Sequence, residues 1–257
     1  MSPVSASAVS HLRARTGVSI LACKEALEEA NGDEEKAIEL LRKRGIAQAA
    51  KKAERAQTEG RIFSAEAGGK AALVLLRCET DFVARADAFT ALGNALAQEA
   101  LQGETAARAL ADAKIPEAVQ ALGENVSLDE VAVAAAPVVG TYVHTNGKVA
   151  VLVGLSGGSR EAARDVGMHA AAMSPQYRSP DEVSEDIIAK EKEIWREQLK
   201  KEGKPEAMFD KIMIGKEKKF REENALVKQP FVKDPSKTIE QYLGSAQVTA
   251  YVRLSVL

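Results

Sequence analysis

Three consecutive residues, Thr80, Asp81 and Phe82, bring a hydroxyl, a carboxylate and an aromatic ring together. The apolar run at 71–76 before them predicts a buried strand, and residues 81–101 predict a helix. Thr80 or Asp81 can cap that helix by accepting hydrogen bonds from its first free backbone amides. The pattern therefore places a negative charge and an aromatic ring at a strand-to-helix corner, where both can be presented to another molecule.

A purely structural interpretation of the same residues is also open. Phe82, Phe89 and Leu96 recur at i, i+7 and i+14, which is the spacing of one buried helix face. An acidic residue at a helix start is a common cap. On periodicity alone we therefore favour core packing and capping over a functional role for Asp81 and Phe82.

Bond-making catalysis has little support in the sequence. The GxGxxG, GxxxxGK[ST] and HExxH patterns are absent, and Gly68-Gly69-Lys70 precedes a strand rather than the helix that a phosphate cradle needs. Cys23 and Cys78 form no CxxC pair and have no histidine near them in the sequence. We predict no enzyme activity, catalytic residue, metal ligand or cofactor, and the two cysteines favour a reducing, cytoplasmic location.

Length and charge point to an ordinary globular protein. The chain has 257 residues, 46% of them hydrophobic, and a net charge of −2, which suits one large domain or two to three small ones. Its apolar runs are too short to span a bilayer, and no signal-like segment opens it. Basic residues at 42–44 and 216–221 are interleaved with acidic ones and lack an aromatic platform, so we predict no membrane binding and no direct nucleic-acid binding.

Residues 1–55 predict a small three-helix domain that resembles the ubiquitin-associated fold. Its second helix carries an apolar stripe at Ile20, Cys23, Leu27 and Ala30, which we expect to face the core. Leu21 lies about 100° around the helix from that stripe and is a candidate for an exposed apolar contact.

Glycines and a cap set the predicted limits of these helices. The first ends near Gly17, the second ends at Asn31-Gly32, and the third begins after Asp33 and ends at Gly45. Residues 46–57 predict a helical linker.

The rest of the chain predicts an α+β fold of two similar subdomains, at 58–139 and 140–257. Each has a hairpin followed by a helix, with turns at Gly68-Gly69 and Asn146-Gly147. Between them, residues 104–130 predict short helices and residues 131–139 predict a strand. A strand at 248–254 must return to the second sheet.

Residues 181–224 predict an antiparallel helical hairpin, or coiled coil, inserted in the second subdomain. Ser179 or Asp181 can cap its first helix, and Gly203-Lys204-Pro205 separates the two helices. The narrow apolar stripes of the two helices are Val183, Ile187, Ile194 and Leu199, and then Phe209, Met213 and Phe220.

Several segments resemble bacterial elongation factor Ts. The resemblance is carried by CETDFVAR at 78–85, by RARTG at 13–17 and by CKEALEEANGD at 23–33, and it covers essentially the whole chain. It implies a guanine-nucleotide exchange factor, without bond chemistry, that binds elongation factor Tu in the cytoplasm. In that family the Thr-Asp-Phe-Val segment intrudes into the GTPase, where its aspartate and phenylalanine disturb the region holding the Mg²⁺ and the phosphates of GDP, so the resemblance favours a functional role for Asp81 and Phe82.

The resemblance also implies which residues contact the GTPase. They are Thr80, Asp81, Phe82, Val83, Leu12, Ile20, Leu21, Lys24, Leu122, Gly123 and His144. The chain departs from the family at Ala22, where an aspartate is usual, and at Leu122, which replaces isoleucine. Many members continue past the last strand into a helical module that touches the GTPase, whereas this sequence stops at Leu257, so we expect that contact to be missing. His169, in a run that also looks family-like, is interpreted as a packed helix residue.

Two other functional classes stay open from sequence. One is a non-catalytic adaptor that binds proteins through the three-helix domain and the helical hairpin. The other is an RNA-associated translation protein that uses the basic patches. The oligomeric state is also open, and a homodimer or a 2:2 complex with the GTPase fits the sequence as well as a monomer does.

Overall fold

The computed structural model describes residues 4–256, and the chain divides into two compact units. The first unit comprises the residues up to Ala134, Val143–Ala150 and those from Leu254, and the second comprises Ala135–Tyr142 and Val151–Arg253. A helical N-terminal region is followed by parts built of sheet and helix, which confirms the predicted α+β class. The domain boundaries predicted at 55–58 and 139–140 stay predictions.

Three helices open the first unit, with bounds Ala6–Thr16 (α1), Ile20–Glu29 (α2) and Glu34–Lys52 (α3). Each begins at a side-chain cap, from Ser5, Ser19 and Asp33 respectively. Their shared core is apolar and includes Val9, Leu12, Val18, Cys23, Ala26, Leu27, Ala37 and Leu41. The predicted ends of α1 and α2 are confirmed, because Gly17, Asn31 and Gly32 all take positive φ there.

Two expectations for these helices were wrong. Ile20 does not belong to the core stripe, since its side chain is 57% exposed. Gly45 does not end α3, which continues to Lys52. A Cβ at Gly45 would lie 2.8 Å from the carbonyl oxygen of Pro116, so this glycine allows another helix to approach closely rather than ending its own.

The first sheet has the order β1-β2-β3, formed by Glu59–Ala67, Lys70–Cys78 and Val126–Ala135. Strands β1 and β2 are antiparallel, and Gly68 and Gly69 turn between them with φ of 55° and 73°. Helix α5, Asp87–Ala100, packs on this sheet so closely that a Cβ at Gly93 would lie 2.2 Å from the ring of Phe63. The core between them is apolar, as the sequence predicted for residues 71–76.

The helix predicted at 81–101 is instead two helices, α4 at Asp81–Ala84 and the longer α5. Ala86 between them is extended, with φ −65° and ψ 144°. In one continuous helix Phe82 and Phe89 would share a face, while Ala84 would lie about 140° from Phe89 at about 100° per residue. The break lets Ala84 and Phe89 both be buried and leaves Phe82 outside, so the core role that periodicity alone favoured for Phe82 was wrong.

The segment after α5 also differs from expectation. Residues Glu104–Leu122 form one helix (α6) that contains Pro116, rather than several short helices. Strand β3 begins at Val126, ahead of the strand predicted at 131–139, and the chain leaves it before Pro137, which has no amide hydrogen for a strand ladder. The next strand, β4, runs over Val138–Val143.

The second sheet has the order β4-β5-β8, with β5 at Val149–Leu155 and β8 at Val248–Ser255. The return of the last strand to this sheet is therefore confirmed. Helix α7, Arg160–Met173, follows β5 and is capped by Ser159. Strands β6 (Pro230–Phe231) and β7 (Asp234–Thr238) make a small separate hairpin, and α10 (Ile239–Leu243) follows it with a capping box at Thr238.

His169 on α7 is fully buried, which confirms the prediction of a packed residue. The backbone amide of Val232 donates to its Nδ1 at 3.2 Å, so the ring hydrogen lies on Nε2, 3.0 Å from Oε1 of Gln229. Burial lowers the pKa of His169, because the charged ring would lose its hydration.

The helical hairpin consists of α8, Glu185–Lys201, and α9, Phe209–Asn224. Ser184 caps α8, so the predicted caps at Ser179 and Asp181 were wrong; a separate 3₁₀ turn occupies Pro180–Glu182. The buried residues of α8 are Ile188, Trp195 and Leu199. Leu199 was predicted, whereas Ile188 and Trp195 lie one position on from the predicted Ile187 and Ile194. Trp195 sets this phase by packing edge-on against Phe220, with ring centroids 5.8 Å apart.

No helix within residues 4–256 is long and apolar enough to cross a membrane.

Candidate functional site

The corner between β2 and α4 is held by Thr80. Its hydroxyl oxygen accepts a hydrogen bond from the amide of Val83 at 3.4 Å, so Thr80, and not Asp81, is the cap. Asp81 and Phe82 are then the first two residues of α4, and Val83 and Ala84 are the last two.

The two halves of α4 have opposite environments. Val83 and Ala84 are buried in the core of the first sheet, whereas the side chain of Phe82 is 82% exposed. An aromatic ring held so far out of the core on an ordered turn is unusual, because burial of such a ring stabilises a fold by about 1.5–3 kcal/mol. The buried half fixes α4 to the protein, and the other half presents Asp81 and Phe82 outward.

Asp81 has a weakly held local partner. Its carboxylate lies 2.6 Å from the guanidinium of Arg85, four residues on, and the two side chains are 44% and 76% exposed. Exposed ion pairs of this kind contribute about 0–1 kcal/mol, so Asp81 can exchange Arg85 for another partner at small cost.

Glu124 connects the corner to the end of α6. One carboxylate oxygen accepts from the backbone amides of Glu79 and Thr80 at 3.1 and 3.0 Å, and the other accepts from the Thr80 hydroxyl at 2.6 Å. Gly123 ends α6 with a φ of 79°, which turns the chain so that Glu124 follows directly.

A second set of hydrogen bonds runs the opposite way. Glu79 accepts from the backbone amide of Asn125 at 2.7 Å, and the Asn125 side chain donates to the carbonyls of Ala53 and Arg55 at 3.3 and 3.1 Å. Lys52, the last residue of α3, donates to the carbonyl of Gly123. The corner, the end of α6 and the end of α3 are therefore tied together by polar contacts.

Cys78 lies beneath the corner, where its side chain is buried. Its thiol donates to the carbonyl of Thr80 at 3.2 Å, and burial raises the pKa of Cys78 to about 12.

The three-helix domain offers a separate exposed apolar feature. Leu21 is 66% exposed, as predicted, and Ile20 beside it borders a shallow groove that also includes Lys24 and Arg13. Leu12 was predicted to contact a partner, but it is fully buried in the domain core, so its side chain is not available for that contact. The reason is its position on the face of α1 that packs against α2 and α3.

Known proteins are similar to this chain over most of its length. The family model described as Elongation factor TS matches residues 79–256. A protein named elongation factor Ts from Hydrogenobaculum sp. is 42% identical over 96% of this chain and 95% of its own length. A protein of the same name from Deinococcus deserti is 43% identical over 96% of this chain and 98% of its own length. Another from Hahella chejuensis is 42% identical over 100% of this chain and 93% of its own length.

The chain belongs to the elongation factor Ts family. It is therefore a translation elongation factor, a component of protein biosynthesis. The recognition made from the corner and from the N-terminal segments is confirmed.

In this chain, the remaining predicted contacts lie in different places. Leu122 is half-buried against the core of the first sheet, and Gly123 is exposed beside Glu124. His144 is exposed at the end of β4, where its backbone pairs with Val149 and Gly147 to close a hairpin. The structure thus brings Thr80–Val83 together with the 122–125 segment.

Sequence reasoning missed the residues that hold the corner, namely Glu79, Glu124, Asn125 and Arg85. Leu122 and Gly123 were predicted as contacts with the partner, but the two polar residues that follow them were not. The available signal was the pair of polar residues directly after a helix-ending glycine, where side chains commonly satisfy backbone groups.

The basic patches of this chain are largely paired with acids. Lys43 and Arg44 contact Glu39 and Glu29 at 2.8 and 2.5 Å, and Arg221 contacts Glu217 and Glu185 at 3.0 and 2.6 Å. Such pairing weakens their attraction for phosphate groups. Within residues 4–256, no three His, Cys, Asp or Glu side chains form a group that could hold a metal ion.

Proposed function

We propose that this protein is a guanine-nucleotide exchange factor that binds elongation factor Tu and promotes release of GDP. The observation that carries the proposal is the 82% exposure of Phe82 on a one-turn helix that also presents Asp81. Membership of the elongation factor Ts family supports the same conclusion.

The task of such a factor is thermodynamic. A GTPase that holds GDP with nanomolar affinity has about 12 kcal/mol of binding free energy, and spontaneous release is correspondingly slow. An exchange factor that binds best to the nucleotide-free GTPase lowers the affinity of the GTPase for nucleotide. The nucleotide lowers the affinity of the GTPase for the exchange factor by the same ratio. No bond is made or broken by the factor.

The corner supplies the two groups that this coupling needs. Phe82 inserts into an apolar groove of the GTPase and gains the burial that it lacks in the free protein. Asp81 leaves Arg85 and acts on the groups that position the Mg²⁺ of the bound nucleotide. Loss of Mg²⁺ removes the largest positive charge opposite the phosphates of GDP, so GDP leaves.

Other surfaces anchor the GTPase without acting on the nucleotide. Ile20, Leu21 and Lys24 on α2 provide an exposed apolar contact with one charge beside it. Gly123 and His144 are exposed and provide further contacts, whereas Leu12 contributes only by supporting the helices from within.

The test is the release of a fluorescent GDP analogue from elongation factor Tu in the presence of excess unlabelled GDP. We expect release to accelerate by orders of magnitude with catalytic amounts of this protein. Binding to elongation factor Tu with no acceleration would refute exchange and leave a protein-binding adaptor. Binding to RNA that weakens steeply with salt would favour the RNA-associated alternative, because phosphate contacts release counterions.

A further inference from the structure

Glu124 makes hydrogen bonds that bear directly on the exposed corner. The carboxylate accepts two backbone amides, from Glu79 and Thr80, and one hydroxyl, from Thr80. The hydroxyl contact, at 2.6 Å, is short, as expected when a hydroxyl donates to a charged acceptor. All three donors belong to the two residues that immediately precede Asp81.

The direction of the Thr80 hydroxyl follows from these contacts. A carboxylate can only accept, so the Thr80 hydrogen must point to Glu124. The lone pairs of the same oxygen are then left for the amide of Val83, which donates at 3.4 Å and closes the cap of α4. Glu124 thus fixes the Thr80 cap of α4, and through that cap it fixes the direction in which the side chains of Asp81 and Phe82 point.

Hydrogen bonds hold the segment that carries Glu124 in place. Gly123 ends the long helix α6, and Lys52 donates to its carbonyl. Asn125, on the other side, is buried and donates its backbone amide to Glu79. Glu79 and Glu124 therefore bridge the two segments in both directions, across 46 and 44 residues of sequence.

We propose that Glu124 is a positioning residue for nucleotide exchange, which holds the Thr80 cap so that Asp81 and Phe82 meet the GTPase in one orientation. The proposal rests on the proposed function and deepens it. Without Glu124, α4 keeps its buried residues, but the two exposed side chains sample several directions. Fewer encounters then drive nucleotide release, although the surfaces that anchor the GTPase are intact.

The experiment compares Glu124→Ala with Glu124→Gln and with Glu130→Ala, a matched change at an exposed residue of β3. The rate of release of the fluorescent GDP analogue is measured at saturating factor, and affinity for nucleotide-free elongation factor Tu is measured separately. We expect Glu124→Ala to lower the maximal release rate about tenfold, equivalent to about 1.4 kcal/mol and similar to a lost helix cap. Glu124→Gln, which keeps one acceptor oxygen, should fall between Glu124→Ala and wild type, and Glu130→Ala should match wild type.

A double-mutant cycle separates positioning from general damage to the fold. If Glu124 acts by directing Asp81 and Phe82, Glu124→Ala should have almost no further effect on release in a background that already carries Asp81→Ala and Phe82→Ala. Additive losses, or an unchanged release rate in folded Glu124→Ala, would overturn the proposal. Thermal unfolding of each variant shows that the compared proteins are folded.

Hydrogen exchange of the Val83 amide tests the same link without the GTPase. We expect this amide to exchange faster in Glu124→Ala than in wild type or Glu130→Ala, because its acceptor is no longer fixed. An unchanged hydrogen-exchange rate of the Val83 amide would overturn the positioning role, even if GDP release slowed. If the wild-type protein fails to accelerate GDP release at all, the proposed function fails, and a protected Val83 amide would then show only that Glu124 orders the corner.

Discussion

Replacing Phe82 by alanine should remove most of the exchange activity while leaving the fold intact. The side chain is 82% exposed, so the substitution opens no cavity in the core. Surface changes of this kind usually alter the free energy of unfolding by less than about 0.5 kcal/mol. The thermal melting temperature of Phe82→Ala should therefore lie close to that of wild type.

The expected loss in exchange follows from the same exposure. Full burial of a phenylalanine side chain contributes about 1.5–3 kcal/mol relative to leaving it in water. Since 82% of the Phe82 side chain is still available for burial against a partner, the expected loss is about 1.2–2.5 kcal/mol. At about 1.4 kcal/mol per factor of ten, exchange should slow roughly 7- to 60-fold.

The assay is the release of a fluorescent GDP analogue from elongation factor Tu over a range of factor concentrations. Phe82→Leu should retain part of the activity, because leucine keeps an apolar side chain at the corner. Ile214→Ala is a matched control, since this side chain on α9 is 72% exposed and lies outside the corner. Wild-type exchange by folded Phe82→Ala, or an equal loss in Ile214→Ala, would refute insertion of Phe82 as the cause of release.

Three further outcomes are expected. Leu21→Ser, at a side chain 66% exposed, should weaken binding to elongation factor Tu in a titration with little change in melting temperature; unchanged affinity would place the anchor elsewhere. Because burial raises the pKa of Cys78 to about 12, alkylation at pH 8 followed by peptide mass spectrometry should modify Cys78 far more slowly in the native protein than in urea, and equal rates would contradict its burial beneath the corner. Burial lowers the pKa of His169 below its ordinary 6.5, so as the pH falls the unfolded chain takes up a proton before the folded protein does. The contribution of His169 to the free energy of unfolding should therefore be complete above pH 6.5 and decrease below it. Between pH 7.5 and pH 5.5, the urea midpoint should fall less in His169→Gln than in wild type.

Local signals in the sequence were sufficient for much of the fold. Asp33 caps α3, where a short polar side chain precedes a helical pattern, and Gly17 ends α1 as predicted. Gly68-Gly69 forms the hairpin turn that two adjacent glycines predict. These features depend on a few neighbouring residues, and the physical rules for caps and turns act over that same range.

The errors came where packing opposed a local pattern. Phe82 matched the spacing of a buried face, but burial of Ala84 and Phe89 requires a break at Ala86. Gly45 looked like a helix end, yet it is a close contact with Pro116 on α6. In both places the competing demand came from tertiary packing, of α4 and α5 on the first sheet and of α3 against α6, which local periodicity does not describe.

The sequence by itself determined the family, the α+β class and the presence of a charged and an aromatic residue at a strand-to-helix corner. It could not determine that Phe82 is exposed, because exposure depends on where neighbouring elements pack. It also could not determine that Thr80 is held by Glu124, since the two residues are 44 positions apart and meet only after α6 has folded onto the first sheet. The sequence shows which side chains occupy the corner, whereas tertiary contacts decide in which direction those side chains point.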